Sequence, residues 1–334
     1  MITLKAYDKD APGLSWRKNL VLHINQIESL AWSPDGEKLA SGGLDGVVAV
    51  WDWKNERLKN WRWYEQDPFS DVGCVAWTLD GQTLASGCGY HNAVVKIWNA
   101  QDGRVLKEIE VNAEFINNLD WGFSEGDVLA LGCSNGSVLL WEKSVEQTRP
   151  ILELESNDQI TKLAWSPDRQ KLAIGSARNF CRWDANTERV QWQSANPSAY
   201  ISSMSWSPDN RIIATGYNDK IIRLWHADSG QQINILESHD DLIAGLSFSF
   251  DGRLLASIST DSLLLWRCDT WKPIVRFVMG SPLDGMYEGL SFHPKLPILA
   301  SPWRPPTAEG ERTARAIQIW DLDFDTLLNV VREI

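Results

Sequence analysis

The chain has 334 residues, of which 43% are apolar and 23% charged, and its formal net charge is −12 with a pI near 4.9. Neutralisation of phosphates by lysine and arginine drives most non-specific nucleic-acid binding, so this acidic balance does not favour nucleic acid as the partner. The sequence has no apolar run of about 18 residues, so we expect a soluble protein without a membrane span.

The cysteines and the N-terminal residues bear on the compartment. The 5 cysteines are odd in number and contain no Cys-x-x-Cys pair, which argues against a disulfide framework or a zinc cage. Residues 1–10 carry charges and no long apolar stretch, unlike a secretory signal. We therefore expect a cytoplasmic protein that holds no metal and no cofactor.

One phrase, Trp-Ser-Pro-Asp-Gly, returns in near-copies along most of the chain. The first residues of the copies are spaced by 45, 44, 44, 41, 42 and 44 residues, at Trp32, Trp77, Trp121, Trp165, Trp206, Phe248 and Phe292. A second series follows 18 to 28 residues behind, at Trp51, Trp98, Trp141, Trp183, Trp225, Trp266 and Trp320. Such a period is typical of propeller blades and related arrays.

Every unit contains the same order of elements. In the first unit these are an apolar stretch, a turn, a second stretch, a hairpin and two further stretches, at residues 27–33, 34–36, 38–42, 44–46, 47–51 and 58–64. This spacing has room for strands but not for helices. Four antiparallel strands, a to d, make one blade, so we predict an all-β fold, a seven-bladed β-propeller of four-stranded antiparallel blades. We expect a single domain over residues 1–334, with blade cores that begin near residues 27, 72, 116, 160, 201, 243 and 289.

The ends of the third stretches connect this pattern to a known family. Three of them end in Trp-Asp, at residues 51–52, 183–184 and 320–321, and the other units carry degenerate versions. The chain therefore resembles the WD40 repeat family over nearly its whole length, with phrases more similar to those of bacterial members than to metazoan ones. The resemblance implies a platform for proteins or peptides.

The resemblance also implies a polar network inside each blade. In the family it joins a His before strand a, a Ser or Thr on strand b, an Asp in the b-to-c hairpin and the strand-c Trp. Two blades match fully, with His23, Ser41, Asp45 and Trp51 in the first and His239, Ser257, Asp261 and Trp266 in the sixth. The other five blades lack the His, so we expect apolar packing to stabilise them.

Either of two segments could supply strand d of the last blade and so close the ring. Residues 14–22 lead straight into His23 and would supply strand d of the last blade from the N-terminus. Residues 326–332 follow Trp320 at the offset where strand d lies in other units. We favour the N-terminal segment and expect the other to be an extra edge strand or a short terminal helix.

Enzyme-like motifs have ordinary structural explanations. Residues 132–136 match the Gly-x-Ser-x-Gly of a hydrolase nucleophile elbow, but they fall in a predicted b-to-c hairpin, where Ser-Asn-Gly is common turn chemistry. Cys88 and His91 form one Cys-x-x-His pair, whereas zinc needs about four ligands. We therefore predict a protein without catalysis of its own.

The best candidates for partner binding lie where the repeats differ. Residues 302–314 form an inserted loop in blade 7 that contains Trp303 and Arg304, two residue types enriched at binding hot spots. The b-to-c hairpins and the d-to-a loops share one face of the propeller, called the top here. We expect a protein or peptide partner to contact top-face side chains, namely Phe115, Tyr200, Met286, Tyr287, Arg178, Trp303 and Arg304.

Two alternatives stay open. A ligand-binding, cation-binding or enzymatic propeller would have a polar site at the channel mouth, for which Glu28 and Glu288 are the candidates. A structural subunit of a stable complex would use a blade edge, for which residues 61–64, Trp-Arg-Trp-Tyr, are the candidates.

Overall fold

The computed structural model describes residues 1–4, 10–63, 71–88, 93–122, 128–154, 158–195, 199–260, 262–278, 289–303 and 315–329. The strands form seven sheets of antiparallel blades. The innermost strands of neighbouring sheets lie side by side, and the last lies beside the first, so the sheets close into a ring. The predicted all-β, seven-bladed propeller of four-stranded blades is confirmed. In the described part of the chain, no helix is long and apolar enough to cross a membrane.

The first blades follow a short N-terminal region. That region contains β1 (Ile2–Leu4), β2 (Asp10–Ala11) and β3 (Leu14–Val21). Blade 1 consists of β4 (Ile27–Trp32), β5 (Leu39–Gly43), β6 (Val47–Asp52) and β7 (Arg57–Trp63). Blade 2 consists of β8 (Val72–Trp77), β9 (Thr83–Cys88), β10 (Ala93–Asn99) and β11 (Val105–Val111). Blade 3 consists of β12 (Ile116–Gly122), β13 (Val128–Cys133), β14 (Ser137–Glu142) and β15 (Gln147–Glu153).

The next three blades repeat this order. Blade 4 consists of β16 (Ile160–Trp165), β17 (Lys171–Ser176), β18 (Asn179–Asp184) and β19 (Arg189–Ala195). Blade 5 consists of β20 (Ile201–Trp206), β21 (Ile212–Tyr217), β22 (Ile221–His226) and β23 (Gln232–Glu237). Blade 6 consists of β24 (Ile243–Phe248), β25 (Leu254–Ser259), β26 (Ser262–Arg267) and β27 (Pro273–Val278). On its outer edge β27 also pairs in parallel with β1.

Blade 7 combines the two ends of the chain. It consists of β28 (Ser291–Phe292), β29 (Ile298–Trp303), β30 (Ala316–Leu322) and β3 as strand d, and the short β2 pairs with β3 on the outside. β3 runs antiparallel to β30, from Leu14 opposite Leu322 to Val21 opposite Ala316. The segment near the C-terminus instead contains a short helix, α1 (Phe324–Asn329). Of the two segments that could close the ring, the N-terminal one therefore takes the place of strand d.

Hydrogen bonds between blades fix the ring. The indole Nε1 of Trp77 donates to the carbonyl oxygen of Ala31 at 2.9 Å, and Trp206 Nε1 donates to that of Ala164 at 2.9 Å. At the closure, Trp32 Nε1 of blade 1 donates to the carbonyl oxygen of Ser291 in blade 7 at 3.1 Å. The indoles of Trp32, Trp77 and Trp206 therefore each join their blade to the one before it, whereas in the described part of the chain Nε1 of Trp121 and of Trp165 has no hydrogen-bond partner.

The turn phrase provides a second contact across the closure. Gly36 has a φ of +79°, and a Cβ atom there would lie 2.3 Å from the His293 ring, so only glycine fits. Its carbonyl oxygen accepts hydrogen bonds from Trp53 Nε1 at 2.9 Å and His293 Nε2 at 3.0 Å. Burial lowers the pKa of His293. Nδ1 of the ring accepts the N–H groups of Lys295 and Leu296, so the ring is the neutral Nε2–H tautomer.

A β-bulge near the start of strand a shapes the top of the channel. In blade 1, Ile27 pairs with Gly43 and Ser29 with Gly42, so Glu28 has no partner residue on β5. The same register shift occurs in blades 2 to 6. An extra residue in a bulge re-aims its side chain and interrupts the ladder. The bulged residues in blade order are Glu28, Gly73, Asn117, Thr161, Ser202 and Ala244.

Candidate functional site

A cavity of about 300 Å³ lies at the top of the channel between blades 1 and 5. Its wall combines bulged strand-a residues with residues of the preceding d-to-a loops. Charged, aromatic and small polar side chains all contribute to the lining, which includes Glu28, Asp71, Phe115, Asn117, Gln159, Thr161, Lys162, Tyr200 and Ser202. Five blades therefore converge on one site.

Glu28 is the acidic group contributed by blade 1. Burial raises its pKa from 4.5 to about 7, against the opposing effect of Lys162 and with a further contribution from Asp71. A carboxylate that loses water without gaining donors keeps its proton more tightly. At neutral pH Glu28 is therefore close to its midpoint of ionisation.

Lys162 is the basic group of the same cavity and belongs to β16 of blade 4. Its side chain is almost fully buried, with 8% relative exposure. Burial lowers its pKa from 10.5 to about 8, while the Glu28 carboxylate acts in the opposite direction. A carboxylate and an ammonium from blades on opposite sides of the channel therefore stabilise each other's charged forms.

The aromatic members of the lining are held by their backbones. The Phe115 N–H donates to Ser134 Oγ at 3.1 Å, and the Tyr200 N–H donates to Asn218 Oδ1 at 2.9 Å. Both acceptors belong to b-to-c hairpins, so each d-to-a loop is tied to the hairpin of its own blade. Both rings are partly buried, and burial raises the pKa of Tyr200.

The structure brings only some of the expected top-face residues together. Phe115 and Tyr200 line the cavity, whereas Arg178 and Trp303 are not among its lining residues. Arg178 is exposed in the β17–β18 hairpin, and its N–H donates to Asp158 Oδ1 at 3.0 Å. Trp303 is partly buried at the end of β29 and pairs with Ala316. Met286, Tyr287, Arg304 and residues 304–314 of the expected insert lie outside the described residues.

The polar network of blade 1 is present in the structure. His23 Nδ1 lies 3.0 Å from Asp45 Oδ1, and His23 Nε2 lies 2.8 Å from Ser41 Oγ. The Trp51 indole donates to the same Ser41 oxygen at 3.2 Å. Asp45 also accepts the N–H of Ile24. The network therefore ties the end of the d-to-a loop to strands b and c, beside the cavity.

In blade 6 the corresponding network has additional hydroxyl groups. His239 Nε2 lies 2.6 Å from Ser257 Oγ, which accepts the Trp266 indole at 2.8 Å. His239 Nδ1 lies 3.0 Å from Ser259 Oγ. Asp261, the fourth expected member, lies outside the described residues.

Blade 4 contains a polar network that the sequence pattern did not indicate. Asp158 is buried, and its carboxylate accepts hydrogen bonds from Ser176 Oγ at 2.8 Å and from Asn179 Nδ2 at 2.7 Å. The expectation that blade 4 depends on apolar packing alone is therefore wrong. An Asp two residues beyond the His position, with Ser and Asn flanking the hairpin, was the available signal. Ser86, Thr215 and Ser301 likewise accept the strand-c indoles of blades 2, 5 and 7.

The structure describes only some of the residues on which the two alternatives to top-face binding, a polar site at the channel mouth and a blade edge, depend. Glu28 faces Lys162 across the cavity, while Glu288 lies outside the described residues. Within the described ranges, no cluster of three His, Cys, Asp or Glu residues could hold a metal ion. Residues 132–136 connect β13 to β14, a strand-to-strand hairpin. At the blade 1 edge, β7 ends at Trp63, and the side chains of residues 61–63 and all of Tyr64 lie outside the described part.

Two family models match the sequence. The model of the WD domain, G-beta repeat, matches residues 17–52. The model of the anaphase-promoting complex subunit 4 WD40 domain matches residues 56–124 and 181–251. Both models describe WD40 repeats, and together they sample both halves of the ring.

Similar proteins come from fungi and a plant. The APC/C activator protein CDH1 of Saccharomyces cerevisiae is 26% identical over 75% of this chain and 44% of its own length. Protein FIZZY-RELATED 3 of Arabidopsis thaliana is 26% identical over 72% and 49%, and meiotic fizzy-related protein 1 of Schizosaccharomyces pombe is 25% identical over 75% and 59%. The chain thus spans about half the length of these relatives. The bacterial character of its phrases stays a prediction.

A solved structure supports the architecture independently. The β-propeller domain of Cps50 (Swd1) from Myceliophteria thermophila superposes with a TM-score of 0.74 at 16% identity, covering 92% of this chain and 100% of that one. At this identity the likeness concerns the fold alone. The family models find WD40 repeats in the chain, and the repeat phrases, the closed ring and the superposition agree that the chain folds as a seven-bladed β-propeller.

Proposed function

We propose that this protein is a non-catalytic adaptor that binds a protein or peptide partner on the top face of the propeller, around the cavity at the channel mouth. The observation that carries the proposal is the convergence of loop and bulge residues from five blades on one cavity of about 300 Å³. Binding sites combine an apolar wall with a few placed polar groups, as this lining does.

The rigidity of the loops supports recognition. The d-to-a loops of blades 1, 3 and 5 are each held to the neighbouring hairpin by hydrogen bonds, from Ile24, Phe115 and Tyr200 respectively. A surface that is already ordered loses little conformational entropy when a partner binds, so more of the contact energy appears as affinity. A stiff ring with fixed loops suits an adaptor.

The names of the relatives support the same role. The Saccharomyces protein is named an activator of the APC/C, and an Arabidopsis relative, 26% identical over 61% of this chain, is named a cofactor of the APC complex. An activator or cofactor of a larger complex acts through contact with other proteins. All 5 cysteines are free thiols, which suits the reducing cytoplasm as the place where this adaptor acts.

The proposal is tested by comparing two matched double variants in affinity capture. The first, Phe115→Ala with Tyr200→Ala, changes the cavity wall; the second, Ile233→Ala with Ile235→Ala, changes exposed residues on the outer strand of blade 5. We expect proteins captured by the wild-type chain to be lost with the first variant and retained with the second, as quantified by mass spectrometry.

Melting temperatures measured in parallel establish that both variants are folded. The proposal is wrong if a folded cavity variant retains every partner, or if the partners depend on the blade 5 edge instead.

A further inference from the structure

The turn between β28 and β29 of blade 7 differs in its chemistry from the corresponding turns of five other blades. In those turns a hydroxyl group donates to an aspartate two positions later, and its oxygen accepts the backbone N–H five positions later. The hydroxyl residues are Ser33, Thr78, Ser166, Ser207 and Ser249. In blade 7, His293 and Lys295 occupy the positions of the hydroxyl residue and the aspartate. An imidazole therefore organises this turn, and the turn has no carboxylate of its own.

Within its own turn, the His293 ring is the hydrogen-bond acceptor. Its Nδ1 accepts the backbone N–H of Lys295 at 3.1 Å and that of Leu296 at 3.0 Å. Only an unprotonated ring nitrogen can accept a hydrogen bond. A proton on Nδ1 would face these two donors and leave both N–H groups without their acceptor.

The same ring also contacts blade 1 across the closure. Nε2–H donates to the carbonyl oxygen of Gly36 at 3.0 Å. The ring centroid lies 4.9 Å from that of Trp32 and 5.8 Å from that of Trp53. His293 has only 2% relative exposure. The ring therefore cannot turn Nδ1 toward water unless the contacts with blade 1 also change.

The charged groups around the ring come from three elements of two blades. Lys295 belongs to its own turn, Glu37 to the β4–β5 turn and Lys54 to the β6–β7 turn. Glu37 is already paired, since its Oε1 lies 2.8 Å from Lys54 Nζ. From β3, the Arg17 guanidinium lies over the Trp53 ring, 5.3 Å from its centroid. Cations therefore outnumber anions around His293, and the anion has a partner.

These surroundings favour the neutral ring. Burial is the main cause that lowers the pKa of His293 from its ordinary value of 6.5. Lys54 and Lys295 act in the same direction, whereas Glu37 and the hydrogen bond to Gly36 oppose them. Just below pH 6.5 the unfolded chain therefore binds more protons at this site than the folded chain, so acid weakens the folded state there.

We propose that His293 is a pH-sensitive latch at the ring closure, which joins the turns of blades 7 and 1 when its ring is neutral and releases them when Nδ1 takes up a proton. Protonation removes the acceptor from the turn of blade 7, and the ring then moves out of its contact with Gly36, Trp32 and Trp53. The turns that contain serine or threonine keep their hydrogen bonds, because hydroxyl groups do not titrate in this range. Opening in acid is therefore local to the closure.

Hydrogen exchange of the full chain, followed by mass spectrometry, tests the latch. Exchange is compared at about pH 7.5 and about pH 5.5, on either side of the ordinary histidine pKa, with correction for the pH dependence of intrinsic exchange. We expect the protection of residues 33–38 and 293–298 to fall about tenfold at the lower pH, because both turns lose hydrogen bonds. Residues 207–212, the corresponding turn of blade 5, should keep their protection.

Variants connect this loss to the imidazole. In His293→Asn, the amide oxygen can accept the same N–H groups without titrating, so the pH-dependent loss should be absent. His293→Ser introduces the residue of the other turns and serves as the second variant if the first does not fold. The matched control is His226→Asn, which removes an exposed histidine at the end of β22 and should behave as the wild type.

Three results would overturn the inference. Residues 33–38 and 293–298 could be equally protected at both pH values, or the loss could extend equally to residues 207–212. A folded His293→Asn or His293→Ser could also lose protection as the wild type does. The latch lies on the face opposite the top, so these results are independent of partner capture through Phe115 and Tyr200.

Discussion

At the residue scale, the cavity contains charges that stability alone would not favour. Glu28 and Lys162 both have their pKa values shifted toward neutrality, and burial is the main cause for each. Removing one charged partner of a buried pair is costly, but an uncharged pair of similar shape is often as stable or more so. A gain in stability therefore does not explain why both charges are present at the channel mouth.

The pH dependence of stability should reveal Glu28. Its carboxyl group keeps a proton up to about pH 7 in the folded protein, compared with 4.5 as its ordinary value. The folded state binds more protons than the unfolded state between these values, so the free energy of unfolding falls as the pH rises from 4.5 to 7 and then levels. In Glu28→Gln this loss is absent, so whatever the offset in stability at pH 4.5, the difference in free energy of unfolding between variant and wild type should change by about 2–3 kcal/mol in favour of the variant between pH 4.5 and 7.

Urea denaturation at four or five pH values between 4 and 8 measures this difference. Lys162 is mostly charged below its pKa of about 8, and Asp71 titrates in both proteins, so the comparison reports Glu28 together with its coupling to these two groups. The control Glu237→Gln, which removes the same charge from an exposed position at the end of β23, should differ from the wild type by a constant amount. A constant difference for Glu28→Gln as well would show that Glu28 is solvated or otherwise paired.

Residue-level prediction from the sequence succeeds where the repeat fixes the spacing. His23 lies nine residues before Trp32, and the network that this spacing implied for blade 1 has the geometry described above. Lys162 could not be assigned in this way, because its interaction with Glu28 joins blades that are far apart in sequence. Asp158 was missed because a different residue type, displaced by two positions, takes the role of the histidine.

At the element scale, β3 decides how the propeller closes. Its residues alternate between the core and solvent, with Leu14 and Leu20 buried and Val21 exposed. Leu20 packs in the cluster that contains Ile317 and Ile319 of the neighbouring β30. A strand from one end of the chain is therefore held by apolar contacts to a strand from the other end.

Two substitutions in β3 test this closure. Leu20→Ala removes a side chain of 2% relative exposure and should lower the free energy of unfolding by about 2–5 kcal/mol. Val21→Ala, one residue further along the strand at 54% exposure, should change it by no more than about 0.5 kcal/mol. Chemical denaturation of both variants gives the comparison. Equal, small effects would mean that β3 does not pack in blade 7.

The sequence near the C-terminus contained a helix signal, which favours β3 as strand d of blade 7. The pattern of strands alone did not decide between the two ends of the chain. Asp323 Oδ1 accepts the N–H groups of Asp325 and Thr326, as a helix N-cap does. An Asp before apolar residues Phe324 and Leu327, three positions apart, indicates a helix and not a strand. Both side chains are buried. The bulges of strand a were not predictable, because they depend on pairing with strand b.

At the scale of the whole molecule, the ring has no free inner edge. Strand a of every blade lies beside strand a of the next, and the last blade contains both chain ends. Opening the ring at any point exposes apolar surface on two blades and removes hydrogen bonds such as that from Trp32 to Ser291. Such mutual dependence favours cooperative unfolding over loss of single blades.

Truncation separates the closing strand from the strand that merely extends an edge. Deleting residues 1–9 removes β1 from the outside of blade 6, while deleting residues 1–21 also removes β3 and uncovers Ile317 and Ile319 of β30. For the wild type and the shorter deletion, we expect tryptophan fluorescence and far-ultraviolet circular dichroism to give one coincident urea midpoint. For the longer deletion, the midpoint should fall and the two probes should separate, because blade 7 unfolds before the rest. If the longer deletion instead gave coincident midpoints at the urea concentration of the wild-type midpoint, the ring would stay closed without β3.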